Sequence, residues 1–146
     1  MLNDAQIPVV EQAKFLGVIF DKKLSFVPHI KCFETFSLKA LNLLKVLAHT
    51  DWGADRKVLL RLYRSLIRSK LDYGCIVYGS ARKSYLQMLD TIHHQGLRLA
   101  IGAFRTSPVE SILAEANEPS LYLRREKLAL NFICQVKSTR LIQLTR

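Results

Sequence analysis

Residues 55–71 read DRKVLLRLYRSLIRSKL, and this stretch has the pattern of a helix with two unlike faces. At the angular step of an α-helix, Lys57, Arg61, Arg64 and Arg68 fall within about 60° of one another, while Leu59, Leu62, Tyr63 and Leu66 lie opposite. One face is suited to a core and the other is cationic. Asp51 or Asp55 can cap this helix or sit in its first turn, where a carboxylate favours the positive end of the helix dipole.

Upstream, Asp51, Trp52 and Gly53 break the chain. Before them Ile30, Phe33, Leu38, Leu41, Leu44 and Leu47 recur at helical spacing, which predicts a first long helix ending near His49 and Thr50. Ser25 is the expected N-cap, with Pro28 tolerated in the first turn. Further back, Phe15 to Phe20 surround Gly17, and Asp21 to Lys23 follow as a turn, so a short hairpin is expected. Downstream, Tyr73 to Gly79 carries two glycines and β-branched residues, predicting a bent, buried connector. A third helix is expected from about Arg82 to Ile101, ended by Gly102, with Tyr85, Met88, Leu89, Ile92, Gly96, Leu99 and Ala100 inward. Ser107, Pro108 and Glu110 resemble a capping box for a short helix to Asn117. A last helix, Pro119 to Ser138, has a broad apolar face of Leu121, Tyr122, Leu128, Ala129, Phe132, Ile133 and Val136. On that face Arg125 must pair or reach solvent. The fold class expected is mainly α, a helical bundle with a short N-terminal β-hairpin.

Twenty-two basic residues against twelve acidic give a net charge of +10, which points to a polyanion as partner. The excess is concentrated. In residues 53–71, Arg56, Lys57, Arg61, Arg64, Arg68 and Lys70 face Asp55 alone. In residues 120–146, Arg124, Arg125, Lys127, Lys137, Arg140 and Arg146 face Glu126 alone. Each segment carries +5 and the remainder sums to zero, so two contact surfaces are expected. No apolar run reaches the roughly 18 residues of a membrane span, and no secretory signal is visible. Cys32, Cys75 and Cys134 are odd in number and set among apolar residues, as for buried thiols in a reducing compartment. An intracellular setting, cytoplasmic and nuclear, is expected, with no membrane partner.

Self-contained catalysis finds little support. The acids include no adjacent Asp pair on a strand for two-metal chemistry, and phosphate loops, nucleophile elbows and C-x-x-C pairs are missing. His93 and His94 are adjacent on a helix and point about 100° apart, so one ion cannot take both; structural roles are expected, His94 pairing with Asp90. Tyr63, Tyr73, Tyr78 and Trp52 are expected in the core rather than stacked on bases.

The residues also resemble a known family. KFLGVIFDKKLSFVPHI, residues 14–30, is similar to the segment leaving the palm of jockey-type non-LTR retrotransposon reverse transcriptases. KALNLLKVLAHTDWGADRKVLLRLYRSLIRSKLDYGCIVYGSA, residues 39–81, resembles the helical thumb that follows, and residues 89–136 resemble the region beyond it. Phe26 stands where the family tends to have Trp, and CFETFS, residues 32–37, stands where lysines are common. The resemblance implies three segments: a primer-grip-like hairpin over 1–24, thumb-like helices over 25–81, and post-thumb helices over 82–146. It implies an RNA-directed DNA polymerase whose palm aspartates match nothing here, so the chain alone is expected to be inactive. It also implies a template–primer duplex as partner, contacted by Lys57, Arg61, Arg64 and Arg68, by Lys22 and Lys23 of the grip, and by Arg124 and Lys127. No cofactor is expected in the chain; Mg would belong to the parent polymerase, whose palm and fingers would be further partners. The alternative is an element-derived helical interaction module that binds no nucleic acid.

Overall fold

The structure, a computed structural model, describes residues 10–49 and 53–144. It opens with an antiparallel hairpin of β1 (Gln12–Phe15) and β2 (Val18–Asp21), with Phe15 opposite Val18. Leu16 and Gly17 form the turn at φ 45° and 83°. A two-residue turn with both central φ values positive matches the twist of its strands, and glycine supplies one of them without strain. Gly17 also lets the Tyr73 ring approach, since a Cβ there would stand 3.3 Å from it. The Tyr73 hydroxyl donates to the Leu16 carbonyl at 2.5 Å, tying the hairpin to the helical body.

Helix α1 (Val27–Leu47) has Pro28 in its first turn, but Ser25 is not its cap. Phe26 holds that position at φ 57°. The reason lies in Asp21, whose carboxylate accepts from the Ser25 hydroxyl at 2.9 Å and the Phe26 N–H at 2.8 Å. Phe26 is thereby turned inward, edge-on to Phe20 at 5.7 Å.

The helix read from residues 55–71 forms, though not as one regular α-helix. It runs as α2 (Arg56–Tyr63), a π-helical turn (Arg64–Arg68) and α3 (Ser69–Asp72), with the Asp55 carboxylate accepting from the Lys57 N–H as expected. The Ser69 N–H reaches back to the Arg64 carbonyl, five residues earlier. Leu59, Tyr63, Ile67 and Leu71 are all buried. Every fourth residue of a regular α-helix drifts by about 40°, so such a series would leave the core; the wider turn takes up the drift. Gly74, at φ 68°, then bends the chain into α4 (Cys75–Tyr78).

Helix α5 (Lys83–Ile101) ends at Gly102 in the left-handed region, as read from the sequence. It is the central element, crossing α1 and α2, and it buries Leu97 and His93 besides the expected Leu89, Ile92, Gly96 and Ala100. Gly96 marks the closest approach, because a Cβ there would lie 2.7 Å from the Tyr63 ring. Helix α6 (Val109–Ala116) starts after Pro108 and ends at Asn117, φ 51°. Ser107 supplies no side-chain cap; its carbonyl accepts from Arg98 at 3.0 Å.

Helix α7 (Leu121–Leu144) runs past the expected end, and its apolar face is not an inner one. Leu121 is buried and Leu128 half-buried against the core, but Tyr122, Phe132, Ile133 and Val136 are exposed. The helix meets α3 and α4. An amphipathic pattern records a face fit for burial without supplying the element that covers it. The cysteines need a similar correction: Cys75 is buried, whereas Cys32 and Cys134 are exposed on outer helix faces. Among the described residues no helix is long and apolar enough to cross a membrane.

Candidate nucleic-acid interface

The arginine face of α2 and its π-turn meets acids that are remote in sequence. Glu118, between α6 and α7, has a side chain only 1% exposed. It accepts from Arg64 Nε at 2.6 Å and from Arg68 Nη1 at 2.6 Å. Arg68 also lies 3.7 Å from Asp72, and Asp72 accepts from Arg124 Nε at 2.9 Å and Nη2 at 2.7 Å. Five side chains thus form one ladder of three guanidiniums and two carboxylates, joining α3, α7 and the segment between α6 and α7. Charged hydrogen bonds to a desolvated carboxylate are the strong kind, so these arginines are held in place.

Beneath the ladder, the Tyr63 hydroxyl and His93 Nδ1 share a hydrogen bond. Both rings are buried. Burial pushes the His93 pKa down to about 4, with His94 adding to the effect, and the nearby Pro119 backbone offsets only part of it without forming a hydrogen bond of good geometry. His93 is therefore neutral at pH 7 and structural, as the sequence predicts. His94 is half-buried; burial lowers its pKa and Asp90 opposes. Asp90 itself lies 4.0 Å from Arg125, the pairing that Arg125 required.

The other cations of the basic segments divide clearly. Arg56 pairs with Glu115 at 2.5 Å, and Lys70 lies over the Phe36 ring at 5.7 Å. Lys57 and Arg61 are exposed and have no ion pair among the described residues, and the same holds for Lys23 on the turn after β2 and Lys127 on α7. Lys22 pairs loosely with Glu11 at 3.5 Å. Of the aromatic residues, Tyr63 and Tyr78 are buried as expected, Tyr73 is exposed, and Trp52 lies outside the described residues.

A second basic feature escaped the sequence reading. An open recess of about 700 Å³ lies between the C-terminal halves of α1 and α5 and the segment after α5. Its lining includes Lys45, Thr91, His94, Gln95, Arg98 and Arg105, and among the described residues no carboxylate. Thr91, His94, Gln95 and Arg98, at i, i+3, i+4 and i+7 on α5, leave a trace in sequence spacing, whereas Lys45 and Arg105 do not. Among the described residues no group of three or more His, Cys, Asp or Glu is placed to hold a metal ion.

A basic, mainly helical chain of this kind is similar to jockey-type and other non-LTR retrotransposon RNA-directed DNA polymerases, over 60–75% of its length for the relatives named next. It is 30% identical over 113 residues to the RNA-directed DNA polymerase from mobile element jockey of Drosophila melanogaster, covering 75% of this chain and 12% of the relative. It is 28% identical over 106 residues to the probable RNA-directed DNA polymerase from transposon X-element of the same species, covering 69% and 11%. The Pol polyprotein from type-1 retrotransposable element R1 of Bradysia coprophila matches at 27% over 89 residues, covering 60% and 9%. The chain thus spans about an eighth or less of the length of these relatives. No protein-family model matches it, and no solved structure does.

Proposed function

We propose that this chain is the thumb-like and post-thumb portion of a retrotransposon RNA-directed DNA polymerase, gripping template–primer nucleic acid and holding no active site of its own. The observation that carries this reading is the 30% identity to the jockey polymerase over 113 residues. The net charge of +10 supports the choice of partner. In this reading the catalytic carboxylates and the Mg they hold belong to the palm, in the much larger part of the relatives outside the match. The exposed apolar residues of the hairpin, Val10, Phe15 and Leu16, would face that palm.

Lys57 and Arg61, with Lys23 and Lys127, are the cations best able to follow a duplex, because a phosphate need not displace an existing carboxylate partner. Arg64, Arg68 and Arg124 would add long-range potential from within their ladder. The test is a titration of the 146-residue chain with a labelled RNA–DNA duplex at increasing salt. Replacing Lys57 and Arg61 together by Ala should flatten the slope of log affinity against log salt by about 2. An unchanged slope would remove the grip from this helix. A polymerase assay on the chain should give no product, and primer extension would overturn the inactive reading.

A second reading is favoured by the exposed apolar residues of α7 and by the paired state of three arginines. It makes the chain a helical interaction module. In that case no duplex binding would be found even at low salt.

A further inference from the structure

Arg56, Arg64, Arg68, Arg124 and Arg125 each have a carboxylate within 4.0 Å. Among the described residues Lys45, Arg98 and Arg105 have none, although all three line one recess from three different parts of the fold. Like charges gathered around a concave surface repel one another and focus the field within it, raising the local concentration of anions. The acids that His94 senses, Asp90 and Glu110, are outside the lining. Arg98 is held by one hydrogen bond, Nη2 to the Ser107 carbonyl, while its buried Nε has no partner among the described residues. Its guanidinium is thus oriented but underused. The Gln95 amide adds a neutral donor, and the volume of about 700 Å³ suits a nucleotide-sized group.

Phe104 supplies the second observation. It sits between the lining residues Ala103 and Arg105, on the segment joining α5 to α6, and is 82% exposed. A single exposed aromatic is ordinary; one whose two chain neighbours both line a cationic recess is near enough to offer a stacking surface beside it. We propose that the recess of Lys45, Arg98 and Arg105 holds a backbone phosphate of single-stranded nucleic acid, with Phe104 stacking on a neighbouring base. The strand is single because a duplex keeps its bases stacked on one another, out of reach of a side-chain ring. This rests on the reading of nucleic acid as partner, but assigns it a site apart from the α2 face.

The test uses the 146-residue chain, a labelled oligothymidine, a labelled RNA–DNA duplex, and thermal melts to confirm that each variant folds. The paired change Lys45→Gln and Arg105→Gln should weaken oligothymidine binding about tenfold or more and flatten its salt dependence. Phe104→Ala should weaken it by about fivefold to a hundredfold with the salt dependence kept. The Lys57→Ala and Arg61→Ala pair should weaken duplex binding more than oligothymidine binding. Wild-type affinity in both recess variants would overturn the site, as would binding to duplex alone, and in either case the grip reading would survive. If the chain bound neither ligand, both would fall. Competition by thymidine monophosphate as effective as that by the strand would assign the recess to a free nucleotide and overturn the strand.

Discussion

Glu118 stands between Arg64 and Arg68 with almost no access to water, so the three charges depend on one another for their solvation. The two arginines are less dependent, their side chains being 42% and 21% exposed. The cost of breaking the ladder is therefore asymmetric. Arg64→Ala with Arg68→Ala strands a buried carboxylate and should lower stability by about 3–5 kcal/mol, whereas Glu118→Gln should cost about 1–2 kcal/mol. Urea unfolding of the three proteins checks the order. His93 sets a second expectation. Its pKa in the fold, about 4, lies below the ordinary 6.5, so the native state favours the neutral ring. That contribution is complete above about pH 6.5 and is lost as pH falls toward 4, a change worth roughly 3 kcal/mol. Unfolding free energy measured across this range should fall in the wild type and fall less in a His93→Leu, Tyr63→Phe variant, which removes both polar partners. A structural role for His93 was expected because it is adjacent to His94 on a helix and cannot share an ion with it, but its burial was not read from the sequence. Nor was its partner Tyr63, thirty residues away.

Among the elements, α5 and the α2 helix are matched at Gly96. In an exposed helix Gly→Ala would stabilise by about 1 kcal/mol. Here the added Cβ meets a buried ring at 2.7 Å, and overpacking of that kind costs typically 1–3 kcal/mol, so Gly96→Ala should destabilise the chain in urea. The hairpin depends on a contact of another sort. Tyr73→Phe removes the hydroxyl that bonds to Leu16 and should cost about 1 kcal/mol, read as faster amide exchange in β1 and β2 with the helices unaffected. Most element boundaries could be read in advance because caps and breakers act within a turn: Asp55, Gly102 and Asn117 all end or start helices as their chemistry dictates. The π-turn could not, since it answers to the need for Tyr63, Ile67 and Leu71 to share one core.

At the scale of the whole molecule, the apolar residues divide between a core built on α5 and the outer part of α7. Phe132, Ile133 and Val136 remain exposed there, and such residues favour association when no other element covers them. The chain should self-associate with rising concentration in sedimentation experiments, and Phe132→Ser with Ile133→Ser should shift it toward monomer without lowering its helix content. The sequence by itself determined the mainly helical class, the hairpin, the order of the helices and the excess of positive charge, because periodicity, capping and composition are local or summed properties of the chain. Only the tertiary structure decided which of those charges are paired. Glu118 is 54 residues from Arg64 and 50 from Arg68. Coulombic attraction depends on distance through space, and folding brings that distance to 2.6 Å. The same folding gathers Lys45, Arg98 and Arg105 around one recess with no acid among its described lining residues.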